Sequence, residues 1–440
     1  MGASRRRLSL GWGEGERGQP LSPPQIAGRE QPQLWRYLVL WAGLGTAVGT
    51  LAGSASAVFL ISLDAAGAAR LDHPWFVYLL PLGGLLVGWL YHLLGKDVES
   101  GNNLILDEIH EPKVGVPMRL APLVLVATVL THLVGGSAGR EGTAVQMGGG
   151  LAAVLGRLLR MKDVRVLLMC GISGGFGAVF GTPLAGLIFG LEVLTVGRLR
   201  TDAIYPCLIA SLVGDAVCTA WGVTHTHYDP PEVPSMSPRL IASVLLMAVG
   251  FGLAARAFVE LTHTITKGFQ RIPFAPLRPV IGGVMLIGLV WLVGTRDYLG
   301  LSLPLLTASV SGAVTLGAFA WKLGFTALTL GSGFKGGEVT PLFVIGATLG
   351  HTLGRLLDLP PGFGAALGFA AVFGAAANTP LACVVMGIEL FGIGYGVPLA
   401  NLFRPKARAG ARGRRRNRAG NVGAAKEIAL SEPRNSSLPK

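Results

Sequence analysis

Five uncharged stretches dominate this chain: Tyr37–Leu63, Pro74–Gly95, Val166–Leu191, Tyr298–Trp321 and Leu359–Ile388. Each is long enough to cross a bilayer, which takes about 20 apolar residues. Only 14% of the 440 residues are charged and 51% are hydrophobic, whereas soluble domains carry roughly 25% charged residues. The reading is an all-α polytopic membrane protein, because a backbone in hydrocarbon must satisfy its own hydrogen bonds.

The net charge of +13 first invites an acidic partner. Its location argues otherwise. Met1–Arg36 contributes +3 and Arg404–Arg418 contributes +8, which leaves +2 for the rest of the chain. Basic ends flanking a nearly neutral core fit cytoplasmic termini under the positive-inside rule, and no nucleic-acid partner is called for. The expected placement is multi-pass in the cell's inner (plasma) membrane with both termini inside. Cys170, Cys207, Cys218 and Cys383 have no paired spacing and read as small hydrophobes.

Sixty-five glycines are too many for plain spanning helices, since each costs about 1 kcal/mol against alanine in a helix interior. They gather in breaks: Gly135-Gly136-Ser137-Ala138-Gly139, Gly174-Gly175, Gly331-Ser332-Gly333 and Gly336-Gly337. Discontinuous helices meeting inside the membrane are the expected consequence. The chain also repeats itself. Glu141-Gly142-Thr143 and Glu338-Val339-Thr340 lie 197 residues apart, as do Thr182-Pro183-Leu184-Ala185 and Thr379-Pro380-Leu381-Ala382, and Glu192 and Glu389. Internal repeats with broken helices mark transporters and channels whose substrate sits at the repeat interface.

A glycine-rich turn delivers a helix start, with free N–H groups and the positive end of the dipole, into a low-dielectric interior, which selects an anion. A carboxylate there, Glu141, would take the anion's place when ionised and leave it when protonated. One residue can thereby link proton and anion occupancy. No nucleophile–base pair or metal cluster stands among these acids, so no enzyme activity, cofactor or metal is expected; His225-x-His227 beside Tyr228 and Asp229 reads as a hydrophilic loop.

The stretches Gly136–Gly142, Gly174–Pro183 and Gly331–Pro341 resemble the CLC anion channels and anion/proton antiporters, over roughly Trp35–Val397. The resemblance implies a CLC-type inverted repeat, a homodimer in the lipid bilayer with one anion pathway per subunit, and Glu141 as external gating glutamate. The departures are informative. Gly101-Asn102-Asn103-Leu104 stands where the common motif has Gly-Ser-Gly-Ile-Pro, Thr143 follows the gating Glu-Gly where proline is usual, Val193 replaces the internal proton-accepting glutamate, and Glu338-x-Thr340 opens the second-repeat helix. This combination is similar to the fluoride/proton antiporter branch, which implies fluoride export coupled to protons. A chloride channel or chloride/proton exchanger is the runner-up, and a truncated, non-functional paralogue comes third.

Gating and proton coupling accordingly fall to Glu141 and Glu338. Anion binding falls to Asn102, Gly139, Arg140, Gly142, Gly337 and Thr340. Ordinary alternatives compete for several of them. Glu338 could pair with Lys335 or Arg140, Asn102 or Asn103 could cap a short helix Leu104–Glu111, and Thr340 could bond its own backbone. Glu192 and Glu389 end apolar helices and read as structural pairs or interface residues.

The expected organisation is a disordered basic leader (1–33), a first membrane repeat (34–222), a second (236–403) and a disordered basic tail (404–440). After Pro398 the resemblance calls for another apolar helix and a final helix bearing a tyrosine, where this chain turns polar. Cutting the chain after Phe403 is therefore expected to leave reconstituted anion flux within twofold of the full chain, while grafting a family-type final helix raises the melting temperature. Loss of flux on cutting would give the tail a structural role.

Overall fold

The computed structural model describes residues 31–111, 115–193, 200–226, 228, 233–312 and 314–403. Helices follow one another with short connections: α1 (Gln31–Asp72), α2 (Leu80–Leu94), α3 (Asn102–His110), α4 (Leu120–Leu133), α5 (Glu141–Leu158), α6 (Arg165–Phe180), α7 (Pro183–Glu192) and α8 (Ile204–Ala220). The second half runs α9 (Pro238–Gln270), α10 (Leu277–Val293), α11 (Leu303–Ser311), α12 (Ala318–Gly331), α13 (Val339–Leu356), α14 (Pro361–Ala376) and α15 (Pro380–Phe391). A short apolar segment, Ile393–Phe403, closes the described chain. Among the described residues there is no strand, only an isolated antiparallel bridge between Gly139 and Gly337. The short helix expected over Leu104–Glu111 instead begins at Asn102, with Gly101 at its N-cap.

Among the described residues, four spans are long and apolar enough to cross a membrane: Leu34–Asp72, Pro74–Leu94, Thr201–Ala220 and Pro238–Gln270. The others are shorter and nested between them. Outward faces carry large apolar side chains, such as Leu246 and Leu253 on α9 and Val284 and Trp291 on α10, which suits hydrocarbon.

The repeat seen in the sequence reappears as helix register. The starts of α2 and α10, α4 and α12, α5 and α13, α6 and α14, and α7 and α15 are each separated by 197 residues, give or take one. Contacts repeat with the same step. Gly148 on α5 lies against Gly171 on α6, and Gly346 on α13 lies against Gly368 on α14, so closely that an added Cβ would run into the opposing carbonyl. Water drives no helix association inside a bilayer, and close approach through small residues supplies the packing instead.

Glu192 and Glu389 prove to be a reciprocal pair. Glu192, ending α7, accepts from the amides of Leu381 (3.1 Å) and Ala382 (2.8 Å) at the start of α15. Glu389, near the end of α15, accepts from Leu184 (2.9 Å) and Ala185 (2.7 Å) at the start of α7. Each half thus caps the other half's proline-initiated helix. Glu192→Ala and Glu389→Ala are each expected to cost about 1 kcal/mol of stability, the usual loss for an N-terminal cap. Thermal unfolding in detergent checks this, with the Gln variants falling in between; no change in either Ala variant would refute the capping role.

Candidate anion site

The two glycine-rich breaks meet at the centre of the fold. Gly139 N–H donates to Gly337 O (2.6 Å) and Gly337 N–H donates to Gly139 O (2.8 Å). Glycine is required on both sides. A Cβ on Gly139 would stand 2.9 Å from the Gly337 carbonyl oxygen, and one on Gly337 would stand 2.9 Å from the Gly142 nitrogen. Each break also turns through a left-handed glycine, Gly135 (φ 95°) and Gly333 (φ 105°), a conformation that side chains disfavour. The bridge sets the starts of α5 and α13 side by side.

Glu141 is the first residue of α5 and is fully buried. Its carboxylate does not cap its own helix. It crosses to α13, where the Thr340 N–H donates to it (2.9 Å) and the Thr340 hydroxyl lies 2.5 and 2.6 Å from its two oxygens. The Arg140 N–H (3.2 Å) and Nε (3.4 Å) complete its shell. Pro341 has no N–H, so the first turn of α13 has few donors, and the carboxylate takes that of Thr340. Glu141 stands at the start of its own helix, but its carboxylate binds the start of the other repeat's helix. Thr340 bonds this carboxylate rather than merely its own backbone.

The remaining candidates fall into two groups. Asn102 comes alongside: its Nδ2 lies 3.4 Å from where a Cβ on Gly142 would stand, and its buried Oδ1 has no hydrogen-bond partner in the structure. With that oxygen unbonded, Asn102 does not cap α3. Glu338 occupies the N-cap of α13, half-buried, with no capping bond. Arg140 pairs with Glu141, and Lys335 Nζ sits over the Tyr91 ring at 4.4 Å.

Sequence reasoning missed part of the surroundings. A recess over the pair is lined by Arg140, Glu141, Thr340, Phe180, Phe343 and Tyr228. Phe343 stacks on Phe369 at 3.9 Å between centroids and tilts against Phe180 at 5.3 Å, giving a dry aromatic wall. Phe180 lies in the repeated Ala-Val-Phe-Gly block, a signal that was available; Phe343 follows no motif. Gln146, one turn along α5, lays its amide against left-handed Gly101. Among the described residues no His, Cys, Asp or Glu cluster could hold a metal; His225 faces Asp215 at 3.6 Å, and His227 lies outside the described residues.

Two repeats of broken helices that present opposed helix starts to a buried carboxylate define a polytopic membrane transport protein. The family model described as "Voltage gated chloride channel" matches residues 83–402. A chloride/fluoride channel protein of Pseudomonas syringae pv. tomato is 51% identical over 372 residues, covering 82% of each chain. Among solved structures, a CLC-type fluoride/proton antiporter superposes with a TM-score of 0.80 at 34% identity, covering 83% of this chain and 95% of its own. A slow cyanobacterial Cl−/H+ antiporter, at 20% identity and a TM-score of 0.74, shares the fold over 90% of this chain and 97% of its own. The chain belongs to the voltage-gated chloride channel (CLC) family.

A hydrogen bond to a charged group contributes about 1.5–3 kcal/mol, which is roughly ten- to a hundredfold in the occupancy of this Glu141 position. Thr340→Val is therefore expected to slow proton-coupled anion flux from reconstituted vesicles by at least tenfold, and Thr340→Ser to retain most of it. Equal rates for Val and wild type would remove Thr340 from the site.

Proposed function

We propose that this protein is a fluoride/proton antiporter that exports fluoride through the junction of its two membrane repeats, residues 34–222 and 236–403. The observation that carries the reading is the Glu141 carboxylate held at the start of α13 by the Thr340 amide and hydroxyl. A carboxylate and a halide compete for such donors, and the carboxylate loses most of its claim once protonated. Proton uptake at Glu141 then frees the start of α13 for an anion, and anion departure lets the carboxylate return.

Fluoride fits the donor set best. It is a small, strong acceptor that holds its water tightly, and it needs donors of matching strength to leave it. The Thr340 hydroxyl, the Asn102 amide and the N–H group of Gly142 supply neutral donors, while Arg140 adds positive charge beside them; the Gly337 N–H is taken by the bridge to Gly139. Glu338, which makes no capping bond at the head of α13, is the second acid through which a proton can pass. The matches to a chloride/fluoride channel protein and to a fluoride/proton antiporter support this choice. The working unit in this reading is a homodimer in the inner membrane's lipid bilayer with cytoplasmic termini. Export of fluoride against an inward proton gradient would answer the entry of neutral HF, which ionises inside.

Parallel fluoride and chloride efflux from vesicles, with internal pH recorded, tests the reading. Fluoride should leave at least as fast as chloride and drive protons uphill, and Glu141→Gln should abolish the proton movement because an amide cannot cycle a proton. Robust chloride flux with inertness to fluoride would transfer the function to chloride. Uphill proton pumping by Glu141→Gln would take the coupling role from Glu141.

A further inference from the structure

Lys322 is the only charged residue between Asp297 and Lys335, and it stands in the second turn of α12, fully buried. Its Nζ donates to Ser137 Oγ (2.9 Å), Ser302 Oγ (2.9 Å), the carbonyl of Gly300 (2.8 Å) and, more weakly, the carbonyl of Tyr298 (3.3 Å). All four acceptors are neutral. Among the described residues no carboxylate lies within ion-pair distance of it, and the charged group nearest this shell is another cation, Arg70, whose guanidinium borders Gly300. Burying an ammonium without a counter-charge is expensive, and an apolar side chain would fill the same space without that penalty. An intramembrane charge kept under those conditions points to function.

The acceptors show what the ammonium joins. Ser137 belongs to the Gly-Ser-Ala-Gly break that leads into Glu141, and it is further tied to α12 through Thr326 Oγ1 (2.9 Å) and by its N–H to Thr329 Oγ1 (3.1 Å). Tyr298, Gly300 and Ser302 belong to the segment leading into α11. Ser302 is a non-glycine residue in the left-handed region (φ 57°), a conformation that persists only where neighbours fix it, and its hydroxyl is fixed by Lys322. The next residue, Leu303, and Leu306 of α11 line the recess over Glu141. One ammonium therefore holds both the turn that delivers Glu141 and the helix start that walls its recess, and its charge has no anionic side chain to answer it.

We propose that Lys322 is a positioning residue for anion transport, clamping the Glu141 turn to the start of α11 and supplying an uncompensated positive charge that is answered by the transported anion. The inference rests on the transport reading above, and its readouts separate the two. Fluoride and chloride binding to the detergent-solubilised full chain is measured by calorimetry, and efflux KM and maximal rate are measured in vesicles, for wild type, Lys322→Gln, Lys322→Met and Lys322→Arg. Lys322→Gln keeps two donors without the charge, so it is expected to weaken binding and raise KM at least tenfold while the maximal rate changes less than threefold. Lys322→Arg, which keeps the charge, should stay within threefold of wild type in KM. Wild-type affinity in Lys322→Gln overturns the proposal, as does an equal fall in maximal rate in all three variants at unchanged KM, the mark of a merely structural lysine. Lys322-dependent binding in a chain that exports neither halide would sink the antiport reading and leave this one standing.

Discussion

Two helix starts brought together inside a membrane expose N–H groups that neither lipid nor water can satisfy, and the rest of the structure answers that constraint. A start of this kind carries roughly half a positive charge, worth far more in a low-dielectric interior than at a surface. Something negative must reside there for the geometry to be stable. At α13 it is the carboxylate of Glu141, delivered from the opposite repeat. Because the same donors suit a halide, the group that stabilises the resting protein is also a competitor for its cargo.

Such closeness is available only to a glycine-rich backbone. The Gly139–Gly337 bridge, the Gly148–Gly171 contact and the Gly346–Gly368 contact all leave no room for a Cβ. The first sets the two helix starts at hydrogen-bonding range. The other two anchor the same helices, α5 and α13, to α6 and α14, so that the starts cannot drift apart. Reciprocal capping by Glu192 and Glu389 then locks α7 to α15 by the same cross-repeat logic, one half's carboxylate serving the other half's helix start.

Much of this was legible in the sequence because membrane burial leaves a strong compositional mark and because the 197-residue repeat survives in the residues that build the junction. Glu141 and the glycine breaks could be singled out from the repeat and its spacing, and Thr340 from the family resemblance. What the spacing could not tell was which helix start Glu141 would serve, since both candidates stand a few residues from a break and only tertiary contact distinguishes them. Asn102 was ambiguous for a similar reason: an asparagine at a helix start is the usual cap, and only the structure shows its amide turned toward Gly142 instead. Lys322 escaped notice although a lone charge between two uncharged runs is a readable signal. Its meaning lies in neutral partners 20 to 185 residues away, which no local pattern encodes.

The repeat also shows how symmetry is broken where function requires it. Thr143 and Thr340 are register equivalents, yet their hydroxyls have different fates. Thr143 bonds Thr128 on α4 at 2.9 Å and is consumed inside its own half. The position on α12 equivalent to Thr128 is Thr326, but its hydroxyl is bonded to Ser137 (2.9 Å), and Thr340 reaches Glu141 instead. In the same way Glu141 crosses the junction while its equivalent, Glu338, makes no capping bond. A fully symmetric junction would hold two carboxylates at two helix starts and would have no preferred direction for exchanging either with an anion. A change in what one threonine of each half bonds, Thr128 to Thr143 but Thr326 to Ser137, distinguishes the start that accepts Glu141 from the other, beside Asn102. In the proposed exchange, a single acid would switch between a proton and a helix start at one defined place in the fold.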